Sequence, residues 1–157
     1  MNATAPAGFK RNVLLAVDDS ENARRAVEYA GAMLGGREGF HVTLLHVISE
    51  PEEDYFPKID EKHRWLDQYR LRITEVLEGY RRCLVTAGVS EDAIRVHTPL
   101  RFCPSIAECI LSELQAAGYG TIVVGRQGLS RKEEFLFGSV SSKIVSHARN
   151  CTVWVVA

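Results

Sequence analysis

The sequence predicts an α/β domain built on an open, parallel, five-stranded sheet with helices on both faces. Three observations carry the prediction. Short apolar runs alternate with segments whose apolar residues recur three to four positions apart, the pattern of strands joined by helical crossovers. The clearest run, VLLAV at residues 13–17, is continuously apolar rather than alternating, as in a strand covered on both faces. Two of the runs stop abruptly, at Asp18-Asp19-Ser20 and at Gly125, so each strand feeds a turn and then a helix.

The elements follow in order. Residues 13–17 are the first strand. Ala23, Ala26, Val27, Ala30, Met33 and Leu34 then fall at helical spacing. Ser20 or Asp19 can cap that helix, and Gly35-Gly36 stops it. Residues 40–48 (FHVTLLHVI) are rich in β-branched and aliphatic side chains and form the second strand. Residues 49–60 hold two prolines and five acids and read as a solvated acidic connector, with a flap over a ligand site as the alternative. Trp65, Tyr69, Ile73, Val76, Leu77, Tyr80, Leu84 and Ala87 mark a long helix ended by Gly88. Its aromatic stripe is assigned to the core, with no ligand role. Residues 93–100 (AIRVHTPL) are a weaker third strand, in which His97 is structural. Ser105 and Glu108 form a capping box for the next helix, which buries Ile106, Cys109, Ile110 and Leu114 and breaks at residues 117–120 (AGYG). The fourth strand runs from Thr121 into Gly125. The last helix opens at Ser139 and turns Val140, Ile144 and Ala148 inward, and Thr152–Val156 (TVWVV) is the final strand.

The bulk numbers bound the function. A chain of 157 residues is most simply one domain. Residues 1–10 read as a loose arm and 11–157 as the domain. Lysines and arginines number 19 against 20 acids, a formal charge of −1. That leaves no global basic field to argue for nucleic acid. No apolar run reaches the ~18 residues of a membrane span, and residues 1–10 lack the apolar core of a signal peptide. The expected location is the cytoplasm, with no membrane or nucleic-acid partner. Cys83, Cys103, Cys109 and Cys151 form no CxxC pair and are expected as reduced thiols in or near the core.

The stretch with chemistry is Val123-Val124-Gly125-Arg126-Gln127-Gly128, followed after nine residues by Gly138-Ser139-Val140-Ser141. A strand feeds a polar loop that returns to a helix N-terminus. Glycines suit sharp turns and close approach of the backbone to a ligand. The free N–H groups at the helix start, with the dipole behind them, suit an anion such as phosphate. Ser139 and Ser141 add hydroxyls. The loop is neither a Walker loop, since no Gly-Lys-Ser/Thr follows, nor a GxGxxG fingerprint.

This spacing resembles the nucleotide-binding signature of the universal stress protein family, ATP-binding type, and the likeness runs over residues 12–156. The resemblance implies a Rossmann-like sheet of order 3-2-1-4-5. Its reversal between the first and fourth strands would bring Asp18 and Gly125 to the two lips of one crevice. It implies a bound adenine nucleotide, ATP or AMP, with Mg2+ held through the phosphates, and a regulatory role in the stress response. By the same likeness Ala16, Val17 and Asp18 would meet adenine and ribose, and Val47 the adenine. Val124, Gly125, Gly128, Gly138, Ser139, Val140 and Ser141 match the loop positions, with Gly125 beside the ribose and both serines donating to phosphate. Arg126 could pair with phosphate. Asp18 has a structural alternative as an acid favoured at a helix start, and Val47 serves the core as well. The family commonly pairs through the last strand. An unpaired apolar edge at Val153, Trp154, Val155 and Val156 points the same way, to a homodimer.

The chain departs from the family pattern in places. Leu100-Arg101-Phe102-Cys103-Pro104 lacks a glycine before the proline, Gly120-Thr121 replaces an aspartate before the fourth strand, Arg126 replaces a small polar residue, and Cys151-Thr152 replaces Cys-Pro. The glycine spacing is untouched. Two other functions stay open. One is a slow ATPase or adenylate-transferring enzyme, although His147 lies at the far end of the last helix and no base is evident at the loop. The other is a dimeric module that binds an unspecified protein partner and no nucleotide.

Overall fold

The computed structural model describes residues 10–126 and 139–157. Gly128 and Gly138 lie outside the described residues, as does the arm up to residue 9. Five strands form the main sheet: β1 (Asn12–Ala16), β2 (His41–Leu45), β4 (Ile94–His97), β6 (Thr121–Gly125) and β7 (Thr152–Val156). Every pairing is parallel and the order is β4-β2-β1-β6-β7. With two short strands set aside, this is the expected 3-2-1-4-5. Those short strands, β3 (Ile48–Ser49) and β5 (Leu100–Arg101), pair with each other beyond the main sheet.

The expected second and third strands are therefore each divided. Pro99 explains the break: it has no N–H to give to a ladder. Pairing passes over it through the His46 N–H to His97 carbonyl bond, 3.0 Å, and the Ile48 N–H to Pro99 carbonyl bond, 2.9 Å. The result is a small extension of the sheet past the ends of β2 and β4.

Among the described residues four α-helices cross over: α1 (Glu21–Leu34), α2 (Ile59–Thr86), α3 (Ile106–Ala117) and α4 (Ser139–His147). Ser20 caps α1, its hydroxyl accepting from the Ala23 N–H at 3.1 Å. Ser105 caps α3 by accepting from the Glu108 N–H at 3.2 Å. The Glu108 carboxylate turns instead to Lys143, 3.1 Å away, so only the Ser105 half of the expected capping box is made. Helix α2 begins six residues before Trp65, inside the segment read as a connector. Its opening residue Ile59 is 69% exposed, so the periodicity of buried residues gives no sign of it. Asp60 and Glu61 in the first turn favour the start through the helix dipole. A one-turn 3-10 helix, Glu53–Tyr55, stands in the rest of the connector.

The core lies on both faces of the sheet, and β1 supplies both. Val13 and Leu15 pack with Ala26, Val27 and Ala30 of α1 and with Leu77 and Leu84 of α2. Leu14 and Ala16 pack on the other face with Ile110 and Leu114 of α3 and Ile144 of α4. The period of two along a strand makes this division. Burying one such aliphatic side chain stabilises by about 1.5–3 kcal/mol. Helix α3 buries Ala107, Ile110, Leu111 and Leu114, whereas Ile106 is 37% exposed because it faces a crevice at the strand ends.

One cysteine expectation is corrected. Cys103 and Cys109 form a disulfide, with Cα atoms 5.9 Å apart. The chain leaving β5 folds back over the first turn of α3, which sets the two residues face to face. Cys83 and Cys151 are free thiols, and burial raises the pKa of each.

Candidate functional site

The sheet order reverses between β1 and β6, and a crevice opens beyond the carboxyl ends of the strands there, where ligands of open α/β sheets bind. Its volume is about 380 Å³, within the ordinary range for small-molecule sites. Strand ends make the floor: Val17, Leu45, Val47 and Ile48, with Ile110 from α3. Asp18 stands at one lip and Gly125 and Arg126 at the other. The first turn of α4 adds Ser139, Val140 and Ser141. Ala16 and Val124 border a smaller adjoining hollow of about 90 Å³. Ten of the residues singled out from sequence are thus gathered around one opening. Gly128 and Gly138 fall outside the described residues.

Each lip is held by the strands that carry it. The Val17 N–H donates to the Leu45 carbonyl at 2.9 Å, and the Arg126 N–H to the Val156 carbonyl at 2.7 Å. Gly125 has a reason of its own to be glycine. A Cβ there would stand 2.8 Å from the carbonyl carbon and oxygen of Asn22, so the end of β6 runs directly against the start of α1. Ser141 is 1% exposed, and its hydroxyl donates to the Arg126 carbonyl at 2.8 Å. The serine expected to donate to phosphate thus ties the first turn of α4 to the loop lip. Ser139 is exposed at the helix start.

The wall opposite comes from α2, whose aromatic stripe the sequence assigns to the core. Trp65 and Tyr69 line the crevice, with ring centroids 5.3 Å apart and planes 28° apart. The Tyr69 hydroxyl lies 2.7 Å from Nε2 of His46. His46 is buried, and its Nδ1 lies 2.7 Å from the Val17 carbonyl. A carbonyl can only accept, so Nδ1 carries the proton and Nε2 of the neutral ring accepts from Tyr69. Burial lowers the His46 pKa, against the opposing pull of the Val17 carbonyl and the Asp18 charge. Burial also raises that of Tyr69. The available sequence signal is the pair Trp65 and Tyr69 on one helical face, one turn apart, ahead of a mostly aliphatic stripe. Core is the common fate of such stripes, and here the first turns depart from it.

Both nitrogens of His46 are thus engaged. His147 is exposed at the far end of α4, bonded to the Lys143 carbonyl at 3.0 Å. Among the described residues no group of three His, Cys, Asp or Glu is placed to hold a metal. No described helix is long and apolar enough to cross a membrane.

The fold and crevice define a doubly wound α/β protein with a crevice at its topological switch point. The chain belongs to the universal stress protein family, whose model matches residues 10–157. A protein of Staphylococcus haemolyticus named as a universal stress protein is 32% identical over 152 residues, covering 93% of this chain and 84% of the relative. A universal stress protein from Lactobacillus plantarum superposes with a TM-score of 0.77 at 22% identity, over 96% of this chain and 99% of that one. The universal stress protein from Archaeoglobus fulgidus in complex with dAMP superposes with a TM-score of 0.66 at 18% identity, over 96% and 99% of the two chains.

Proposed function

We propose that this protein binds an adenine nucleotide, ATP or AMP, in the crevice and acts as a regulator in the stress response rather than as a catalyst. One observation carries the reading: the crevice joins an apolar floor, the Asp18 carboxylate and the N-terminal turn of α4 at a single opening. An apolar floor suits a base, a carboxylate accepts from ribose hydroxyls, and a helix N-terminus suits phosphate. The dAMP complex of the Archaeoglobus relative supports the ligand class. Ala16, Val17, Asp18 and Val47 would meet the nucleoside, Gly125 would pass close to the ribose, and Gly128, Gly138 and Ser139 would meet the phosphates. Magnesium would arrive with the phosphates, keeping most of its waters. A homodimer through β7 and a cytoplasmic location complete the proposal. The engagement of both His46 nitrogens favours binding over hydrolysis.

The test is mass spectrometry of small molecules released by denaturing freshly purified protein, beside the Gly138→Asp variant. The expected result is ATP or AMP in equimolar amount from the wild type and none from the variant, whose carboxylate would repel phosphate at the start of α4. If nothing is released, and added ATP with magnesium leaves the melting temperature unmoved, the nucleotide reading is wrong.

A further inference from the structure

We infer that Trp65 and Tyr69 form a stacking wall that receives the base, so that α2 selects a ligand with an aromatic ring over phosphate alone. This inference rests on the nucleotide reading. Four observations place the wall. Both rings line the crevice. They are stacked on each other, 5.3 Å between centroids and 28° between planes, so they hold one another as a single aromatic unit on the crevice surface rather than as two unrelated side chains. The surface is fixed at one end by the Tyr69–His46–Val17 chain of hydrogen bonds, each 2.7 Å. It is braced at the other end by Phe56, whose ring lies 5.7 Å from that of Trp65.

The chain of bonds has a consequence for binding. Val17 lies on the crevice floor, and its carbonyl sets the His46 tautomer. That tautomer makes Nε2 an acceptor and so fixes the Tyr69 hydroxyl. The floor and the wall are therefore held in one geometry before any ligand arrives, and an ordered aromatic surface loses little freedom on binding. His46 and Phe56 are positioning residues, while Trp65 and Tyr69 touch the base. A base stacks on such a surface because every base has a π-face, whatever its hydrogen-bonding edge. Contact with the wall thus calls for a ring, and the Asp18 side of the crevice calls for a ribose.

The protein carries two tryptophans, which makes the test direct. In the Trp154→Phe variant of this 157-residue chain, Trp65 is the tryptophan that remains, and the phenylalanine keeps a ring against Tyr29, whose centroid lies 5.8 Å from that of Trp154. ATP with magnesium is expected to quench Trp65 emission, and inorganic tripolyphosphate is not. By equilibrium dialysis Trp65→Ala should weaken ATP binding about tenfold or more, while Trp65→Phe restores most of it. The affinity for tripolyphosphate, measured by calorimetry, should be the same in wild type and Trp65→Ala. Unchanged circular dichroism would show that each variant is folded, as the partly exposed position of Trp65 leads one to expect. ATP binding to the wild type with no quench, and with equal affinity in Trp65→Ala, would overturn the wall and leave the nucleotide reading standing. Failure of the wild type to bind ATP at all would overturn both.

Discussion

The Tyr80 hydroxyl donates to the main-chain carbonyl of Asp18 across 2.7 Å, tying the later turns of α2 to the residue at the lip of the crevice. Burial, and after it the charges of Asp18 and Asp19, pushes the Tyr80 pKa up to about 12. The phenol therefore remains a donor throughout the neutral range. Tyr80→Phe keeps the packing and removes the donor. The expected loss is about 0.5–1.5 kcal/mol of stability, a fall in melting temperature of about 2–4 °C per kcal/mol for a chain of this size. Calorimetry checks this. Ultraviolet titration should also lose its last-ionising tyrosine in the variant, and an unchanged titration curve would contradict the assignment.

Two glycines should respond to alanine in opposite directions. At Gly125 the new Cβ would meet the Asn22 carbonyl at 2.8 Å and the Ala23 nitrogen at 3.1 Å. These are backbone atoms at the start of α1 and cannot swing aside. Gly125→Ala should destabilise by about 1–3 kcal/mol, the usual cost of overpacking. Gly79 lies within α2, and the nearest atom its Cβ would meet is the end of the Arg82 side chain at 3.9 Å. Gly79→Ala should stabilise by about 0.5–1 kcal/mol, because alanine loses less chain entropy on forming a helix. Urea denaturation of both variants measures the pair, and the same sign in both would contradict these contacts.

Why the sequence reveals both lips of the crevice and hides the wall from α2 follows from the kinds of signal involved. Strand ends announce themselves: VLLAV stops at Asp18, and TIVVG stops at Gly125. The order of the strands comes from the family likeness, since periodicity carries no information on which strand neighbours which. Trp65 and Tyr69 obey the same spacing as the core residues that follow them on α2. Only the length of the helix, 28 residues, carries its first turns past the edge of the sheet and over the crevice. The break in the third strand is visible as Pro99, yet its effect depends on which neighbour would have accepted the missing bond. The Cys103–Cys109 bond arises from a chain reversal that no local motif marks. Its separation of six residues matches no metal or redox motif, so reduced thiols are the natural expectation from sequence.

His46 should leave a signature in the pH dependence of stability. Its folded pKa is lowered from 6.5, chiefly by burial, so the fold favours the neutral ring. Above 6.5 the ring is neutral in both the folded and the unfolded chain, and its contribution to stability is complete. As the pH falls below 6.5 the unfolded chain takes up the proton first, and that contribution is lost as the pH passes down through the folded value. His46→Phe removes the titration and leaves the Val17 carbonyl and Tyr69 hydroxyl without this partner, at a cost of about 1–3 kcal/mol. The variant should be less stable at pH 8 yet lose less on acidification to pH 5. Urea midpoints across that range decide it; parallel curves for the two proteins would rule out His46 as the source.

The disulfide stands beside the crevice and should couple redox state to stability. It closes a short loop, from Cys103 to Cys109, and so restricts the unfolded chain only modestly. The chain-entropy relation gives about 2 kcal/mol for a loop of this length. The loop also contains Ile106, which lines the crevice, and ends one residue before Ile110 on its floor. Dithiothreitol should therefore lower the melting temperature of the wild type by several degrees, on the scale expected for about 2 kcal/mol. The double variant Cys103→Ser, Cys109→Ser should melt near the reduced wild type and ignore dithiothreitol. Cys83→Ser, which changes a thiol outside the disulfide, should keep the full response to reductant. Thiol counting on the denatured, unreduced protein gives an independent reading: the bond leaves Cys83 and Cys151 as the thiols that react. If all four cysteines react and reductant shifts nothing, the thiols are reduced and the turn before α3 is held by the Ser105 cap and the Lys143–Glu108 ion pair instead.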